Sequence, residues 1–189
     1  MAPFNTKRRQ NIVIILEGID RVGKTTLANR IAEEINGQVF KAERVEDRFC
    51  TLKENNAISY GYCMGQVQLF NNTYAKDKDK HIIIDRFHWT EYVYTKIQRD
   101  RDLDSFYMRK IDAEMLKNKQ GYLMILMEPI DIRKCSRMHG SDLTRHQNLF
   151  TGLYETSNLL KYKCTYMSND LAINTVHKFI DGEYKAQGE

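Results

Sequence analysis

Nine consecutive residues, Gly18-Ile19-Asp20-Arg21-Val22-Gly23-Lys24-Thr25-Thr26, carry the types that phosphate chemistry needs. They fit GxxxxGK[ST], a loop whose backbone wraps an anion. Gly18 and Gly23 permit a tight turn in which successive N–H groups, those around Asp20 and Val22 included, face phosphate oxygens. A helix opening at Lys24, Thr25 and Thr26 would offer its positive end to the same anion. Lys24 suits the β- and γ-phosphates of a nucleoside triphosphate, and the Thr25 hydroxyl suits Mg²⁺. Arg21 is surplus to the loop's own needs, because backbone N–H groups do the binding there. A cation with the γ-phosphate in reach is a candidate catalytic arginine. About sixty residues on, Ile82-Ile83-Ile84 runs into Asp85-Arg86. An acid at the carboxyl end of a buried strand faces a metal across the cleft, so Asp85 is a second metal candidate. Arg86 offers a planar fork to a second phosphate.

The elements that must hold these residues follow from the apolar pattern. Strand-length runs lie at Ile12–Leu16, Ile82–Ile84 and Leu123–Met127, with weaker ones at Gln38–Lys41 and Cys164–Met167. Continuous apolar runs are the habit of strands buried on both faces of a parallel sheet. Helical patterns fill the gaps: Leu27, Ile31 and Ile35 with Gly37 beyond, then Ala57–Ala75, Trp89–Gln98, Asp104–Lys119, Ile130–Met138 and Asn148–Lys161. A last stripe joins Ala172, Ile173, Val176, Phe179 and Ile180. The alternation predicts one three-layer α/β domain over residues 1–189, with a five-stranded parallel sheet flanked by helices.

Composition narrows the class further. The chain has 189 residues, a net charge of +4 and 42% hydrophobic residues. No apolar run approaches the ~20 residues of a membrane span, and no signal-like segment opens the chain, so a cytoplasmic protein without a membrane partner is expected. Cys50, Cys63, Cys135 and Cys164 lie far apart without zinc spacing, and read as buried thiols. Aromatics are not interleaved with basic residues along one face, which argues against a nucleic-acid partner. Asn118-Lys119-Gln120-Gly121 lacks the base-reading acid of a GTPase, and Asp85 stands alone where a motor ATPase carries an acidic pair. His139 and His146 read as solvated loop histidines, and Trp89 as a pocket wall or a half-buried helix residue.

The sequence resembles the thymidylate kinases, with the related deoxynucleoside kinases close behind. The likeness rests on EGIDRVGKTT with its loop arginine, on Asp85-Arg86-Phe87, on Gln68-Leu69-Phe70-Asn71-Asn72, and on Met167-Ser168-Asn169-Asp170. It implies a P-loop kinase fold with a short lid at about residues 131–147. It also implies a homodimer, small-molecule nucleotide substrates, and Mg²⁺ with ATP as phosphoryl donor. Asp20 would contact the acceptor sugar, Phe70 would stack on its base, and Arg44 and Arg86 would hold its phosphate. Tyr74 stands where the family carries a further substrate arginine, and Trp89 would line the same pocket. Asn169 belongs to the loop that would hold adenine. Arg133, Arg137 and Arg145 would close over ATP from the lid, Arg137 ranking after Arg21 among catalytic arginines. The reaction so implied moves the γ-phosphoryl of ATP to a deoxynucleoside monophosphate, dTMP or a similar pyrimidine nucleotide. A deoxynucleoside kinase with Glu43 or Glu91 as base is the alternative within the fold. A nucleotide-binding regulatory protein without transfer is the alternative of another class.

Overall fold

A computed structural model describes residues 12–41, 52–72, 81–98, 105–117, 121–132 and 140–184. Five strands and six helices alternate: β1 (Ile12–Glu17), α1 (Lys24–Ile35), β2 (Gly37–Lys41), α2 (Leu52–Asn72), β3 (His81–Asp85), α3 (His88–Gln98), α4 (Ser105–Leu116), β4 (Gly121–Glu128), α5 (Gly140–Thr156), β5 (Leu160–Thr165) and α6 (Asn169–Ile180). All strand pairs are parallel, in the order β2-β3-β1-β4-β5. This is the expected five-stranded sheet flanked by helices.

Central β1 is buried along its whole length, and β4 at every residue but the last. That burial is why both read as unbroken apolar runs. Helix α1 packs on β2 and β3 and touches α6, which lies on β4 and β5; α5 packs on β4 and also on α3. The register places Leu16 beside Asp85 and Lys41 beside Asp85. Three strands therefore end at one level, and the loops after them share one rim, the side of an open α/β sheet where ligands bind.

The edge strand departs from expectation. Cys164–Met167 was the expected run, whereas β5 spans Leu160–Thr165 and Tyr166–Ser168 form a 3₁₀ turn. An edge strand is half-buried, so Lys161 and Lys163 alternate with apolar residues and hide the run. Helix α5 begins at Gly140, eight residues before the expected Asn148; of the helix expected over Ile130–Met138, Ile130 and Asp131 form a bend, Ile132 is in 3₁₀ conformation, and the rest lies outside the described residues. Among the described residues, Cys63 and Cys164 are free, buried thiols, as the sequence implied. No helix among them is long and apolar enough to cross a membrane.

Candidate active site

The loop between β1 and α1 needs glycine at both ends. Gly18 has φ 134°, and a Cβ there would stand 2.4 Å from the Met127 carbonyl oxygen, so only glycine fits against the end of β4. Gly23 has φ 92°, and its missing side chain is replaced by the Tyr166 ring, 2.5 Å from where a Cβ would sit. Arg21, exposed on the same loop, also adopts left-handed backbone, φ 63°. Glycine takes that conformation freely, whereas an arginine costs about 1–3 kcal/mol, which suggests that the side chain is there for its chemistry.

Lys24 is only 4% exposed, with its Nζ donating to the Ile19 carbonyl across the loop. Its place at the first turn of α1 is what buries it. Burial, then the nearby Arg86 charge, hold its pKa down at about 8. Beside it the Thr25 hydroxyl donates to Asp85 Oδ2 at 2.6 Å. Asp85 Oδ1 is buried and has no hydrogen-bond partner in the structure. A hydroxyl and a half-satisfied carboxylate at the mouth of a phosphate loop are the oxygen donors Mg²⁺ takes, the remaining ligands coming from phosphate and water. No cluster of three or more acidic, histidine or cysteine ligands exists among the described residues.

Asp20 and Arg86 meet across the cleft. Arg86 Nη2 donates to Asp20 Oδ1, while Arg86 Nη1 is buried without a partner. The Tyr94 hydroxyl on α3 hydrogen-bonds into the same pair, and burial first, then Asp20, push its pKa up to about 12. Burial would raise the Asp20 carboxyl, but the Arg86 hydrogen bond and charge, with Tyr94 and Lys24, outweigh it and hold Asp20 low. Ile84 and Phe87, close to Arg86 along the chain, line a cavity of about 160 Å³ together with Phe40, Lys41, Tyr62, Gln66 and Phe70. Phe70 therefore stands at the cavity, packed edge-on against Phe40 at 6.2 Å between ring centres.

Two further expectations are corrected. Trp89 is 1% exposed and absent from the cavity wall; it belongs to the core, where its bulk fills space at the start of α3. His146 is also buried, on α5, with its ring against Tyr94 at 5.0 Å, so it is no solvated loop histidine. Glu91 accepts from Ser59 on α2 at 2.9 Å, which ties α3 to α2, and from Thr95 one turn on in α3 at 3.3 Å. Asn169 opens α6, is buried, and leaves its Oδ1 without a partner. Next to it Met167 is 80% exposed, and Tyr166 half-exposed, beside the phosphate loop. Arg145 is exposed on the first half of α5. Arg44, Glu43, Tyr74, Arg133, Arg137, His139, Cys50 and Cys135 lie outside the described residues.

The geometry of a strand, a phosphate loop, a helix and an acid on the neighbouring strand has counterparts among solved structures. The YorR protein of Bacillus subtilis, in complex with phosphorylated GDP, is similar over 90% of this chain and 96% of its own, with TM-score 0.66 and 21% identity. The thymidylate kinase of Ehrlichia chaffeensis matches over 90% of this chain and 98% of its own, at TM-score 0.59 and 14% identity. The deoxyadenosine kinase of M. mycoides with bound dATP matches over 88% and 100%, at TM-score 0.57 and 13% identity. The fold is that of the P-loop nucleotide kinases. No protein-family model matches the sequence, and neither does any curated protein sequence.

Within a P-loop kinase fold the residues the sequence singled out fall into two groups. Gly18, Arg21, Val22, Gly23, Lys24, Thr25, Thr26 and Asp85 gather at the phosphate loop, while Asp20 pairs with Arg86 and Phe70 lines the cavity. Sequence reasoning missed Tyr94, Lys41, Gln66 and Glu17. Glu17 is fully buried, and burial raises its pKa against the opposing pull of His88 and of donors from Thr90 and Phe87. Its only sequence signal is an acid ending an otherwise apolar strand.

Proposed function

We propose that this protein transfers the γ-phosphoryl group of Mg-ATP to a deoxynucleoside monophosphate, dTMP or a similar pyrimidine nucleotide, giving the diphosphate. The observation that carries the reading is Arg86: its Nη1 is buried without a partner, while its Nη2 bonds Asp20 of the phosphate loop and its neighbour Phe87 lines an aromatic cavity. An unsatisfied guanidinium edge is costly to bury and is satisfied by a second phosphate. The cavity, about 160 Å³, is small beside the ~300–1,000 Å³ of drug-sized sites, and suits a single base.

In this reading the loop N–H groups and Lys24 hold the donor's phosphates, and Thr25 with Asp85 holds Mg²⁺. Bound Mg²⁺ supplies charge neutralisation on the β- and γ-oxygens. An acceptor phosphate oxygen forms the new P–O bond as the bond from the γ-phosphorus to the bridging oxygen breaks. A monophosphate is already largely ionised near pH 7, so its oxygen needs no base. Arg21, in cis on the loop, meets charge that shifts onto the bridging oxygen, and Arg137 is the next arginine in rank. Asp20 and Tyr94 hold Arg86 and face the acceptor's sugar, and Phe70 flanks its base.

One observation favours the nucleoside reading instead: Asp20 already neutralises one side of Arg86. Release of ADP over a panel of nucleosides and nucleoside monophosphates separates the readings. The proposal expects dTMP or a near analogue to give the highest kcat/KM, exceeding its own nucleoside about 10- to 100-fold, the worth of an arginine–phosphate pair. Thymidine turned over equally well or better assigns a nucleoside kinase, and a flat panel despite tight ATP binding assigns a regulatory protein. The homodimer, and a cytoplasmic location, remain proposals of the same resemblance; sedimentation of the pure protein tests the former.

A further inference from the structure

Arg86 reaches the site in left-handed backbone, φ 74°, a conformation that a side chain holds only when its surroundings impose it. Two consecutive residues of β1 impose it. The Leu16 carbonyl accepts the Arg86 N–H at 3.0 Å. The Glu17 carboxylate takes the donors that follow: Oε1 accepts from the N–H groups of Phe87 and Trp89, each at 3.0 Å, and Oε2 from the Thr90 N–H at 3.1 Å and the Thr90 hydroxyl. These are the free donors at the opening of α3, which a helix ordinarily satisfies with a Ser, Thr, Asp or Asn just before its first turn. Phe87 stands at that position and has no acceptor to offer. The cap comes instead from about seventy residues away, on a strand end whose next residue, Gly18, opens the phosphate loop.

The other side of this turn is also tied down. His88, fully buried, bonds through Nε2 to Asp112 Oδ1 on α4 at 2.8 Å, and Asp112 Oδ2 accepts from Ser157 after α5 at 2.7 Å. Helix α3 is thus anchored to α4 and α5 by one chain of bonds, and the backbone that opens it is held to the end of β1 by Glu17, beside the Arg86–Asp20 ion pair that reaches the phosphate loop. We propose that Glu17 is a positioning residue: it clamps the Arg86 turn in register with the phosphate loop, so that Arg86 presents its free edge to the acceptor's phosphate. The proposal rests on the reading of Arg86 given above. A mere helix cap would support α3 without regard to the loop; a cap rooted next to Gly18 sets the distance between the two anion sites, on which transfer depends.

Glu17→Gln keeps the shape but puts an amide N–H₂ against the Thr90 N–H, donor facing donor, and the clamp loosens on that side. Titration calorimetry should leave ATP affinity within about threefold of wild type, because the loop itself is untouched. KM for dTMP should rise about tenfold or more, the loss expected when a charge-assisted contact is misplaced, with kcat falling less. Amide hydrogen exchange should quicken across Arg86–Thr90 while α1 keeps its protection. Thr90→Val, which removes only the hydroxyl donor, should move both readouts the same way by less. Unchanged exchange in that segment, or an equal loss of ATP and dTMP binding with protection lost throughout, overturns the clamp. If the wild type turns over no monophosphate, the functional reading fails on its own, and the exchange pattern still decides whether Glu17 holds the turn.

Discussion

The two halves of the cleft, donor and acceptor in the proposed function, are built on opposite plans. The donor half, residues 18–26 with Asp85, is mostly backbone: N–H groups of one short loop, a helix end, and one acid on the adjacent strand. The acceptor half is side chains alone, drawn from β2, α2, the turn after β3, α3 and the loop after β1: Phe40, Lys41, Gln66, Phe70, Arg86, Tyr94 and Asp20. A backbone cradle demands fixed residue types at fixed spacing, so it is written in consecutive letters. A side-chain pocket demands only that certain groups arrive at one place, and many sequences achieve that. The donor half therefore tells the class of chemistry, and the acceptor half tells the substrate.

The largest expected effect comes from breaking the donor half. Lys24→Ala should cut kcat by about 10²–10³-fold or more, since it removes charge aimed at the transferring phosphoryl. Thermal stability should hold or rise, because a nearly buried ammonium is costly to keep. Turnover within threefold of wild type in the folded variant would remove the phosphate-loop argument. Arg21→Ala should lower kcat about a hundredfold or more with little change in KM for ATP, and Arg137→Ala should cost less. The reverse order would move catalysis to the lid.

Breaking the acceptor half should look different. Arg86→Ala should raise KM for dTMP about 10- to 100-fold while ATP affinity, measured by calorimetry, barely moves. A loss shared equally by both ligands would erase the division between the halves.

The smallest effect sharpens the comparison through pH. Lys24 in the folded chain titrates at about 8, against an ordinary lysine value of 10.5. The unfolded chain thus binds more protons between those values, and this group makes stability rise with pH across that window. Phosphate binding favours the ammonium form, so ATP affinity should fall as pH climbs above about 8, by no more than about tenfold per unit. Calorimetry from pH 7 to 9.5 checks the slope, and a flat profile would show that Lys24 keeps its proton without phosphate.

The same contrast explains what the sequence could and could not tell. The sheet was legible where strands are central: β1, β3 and β4 are buried on both faces and read as apolar runs. It was misread at β5, an edge strand whose half-buried Lys161 and Lys163 lie over the Tyr154 ring and interrupt the apolar run. Gly18 and Gly23 take positive φ at the two ends of the loop, and Thr25 bonds Asp85. Glu17 could not be read, since its partners Phe87, Trp89 and Thr90 lie far along the chain and offer backbone, which has no sequence signature. Trp89 and His146 were misplaced for a related reason: a polar or aromatic residue beside a motif looks functional until packing shows it facing inward.

The central claim, that the acceptor is a nucleotide bound through its phosphate, is tested most directly by following the label. Incubation of the wild-type protein with Mg²⁺, dTMP and ATP labelled at the γ-phosphate should place the label in dTDP. Label carried to thymidine in preference to dTMP, or released only as inorganic phosphate, would contradict the account.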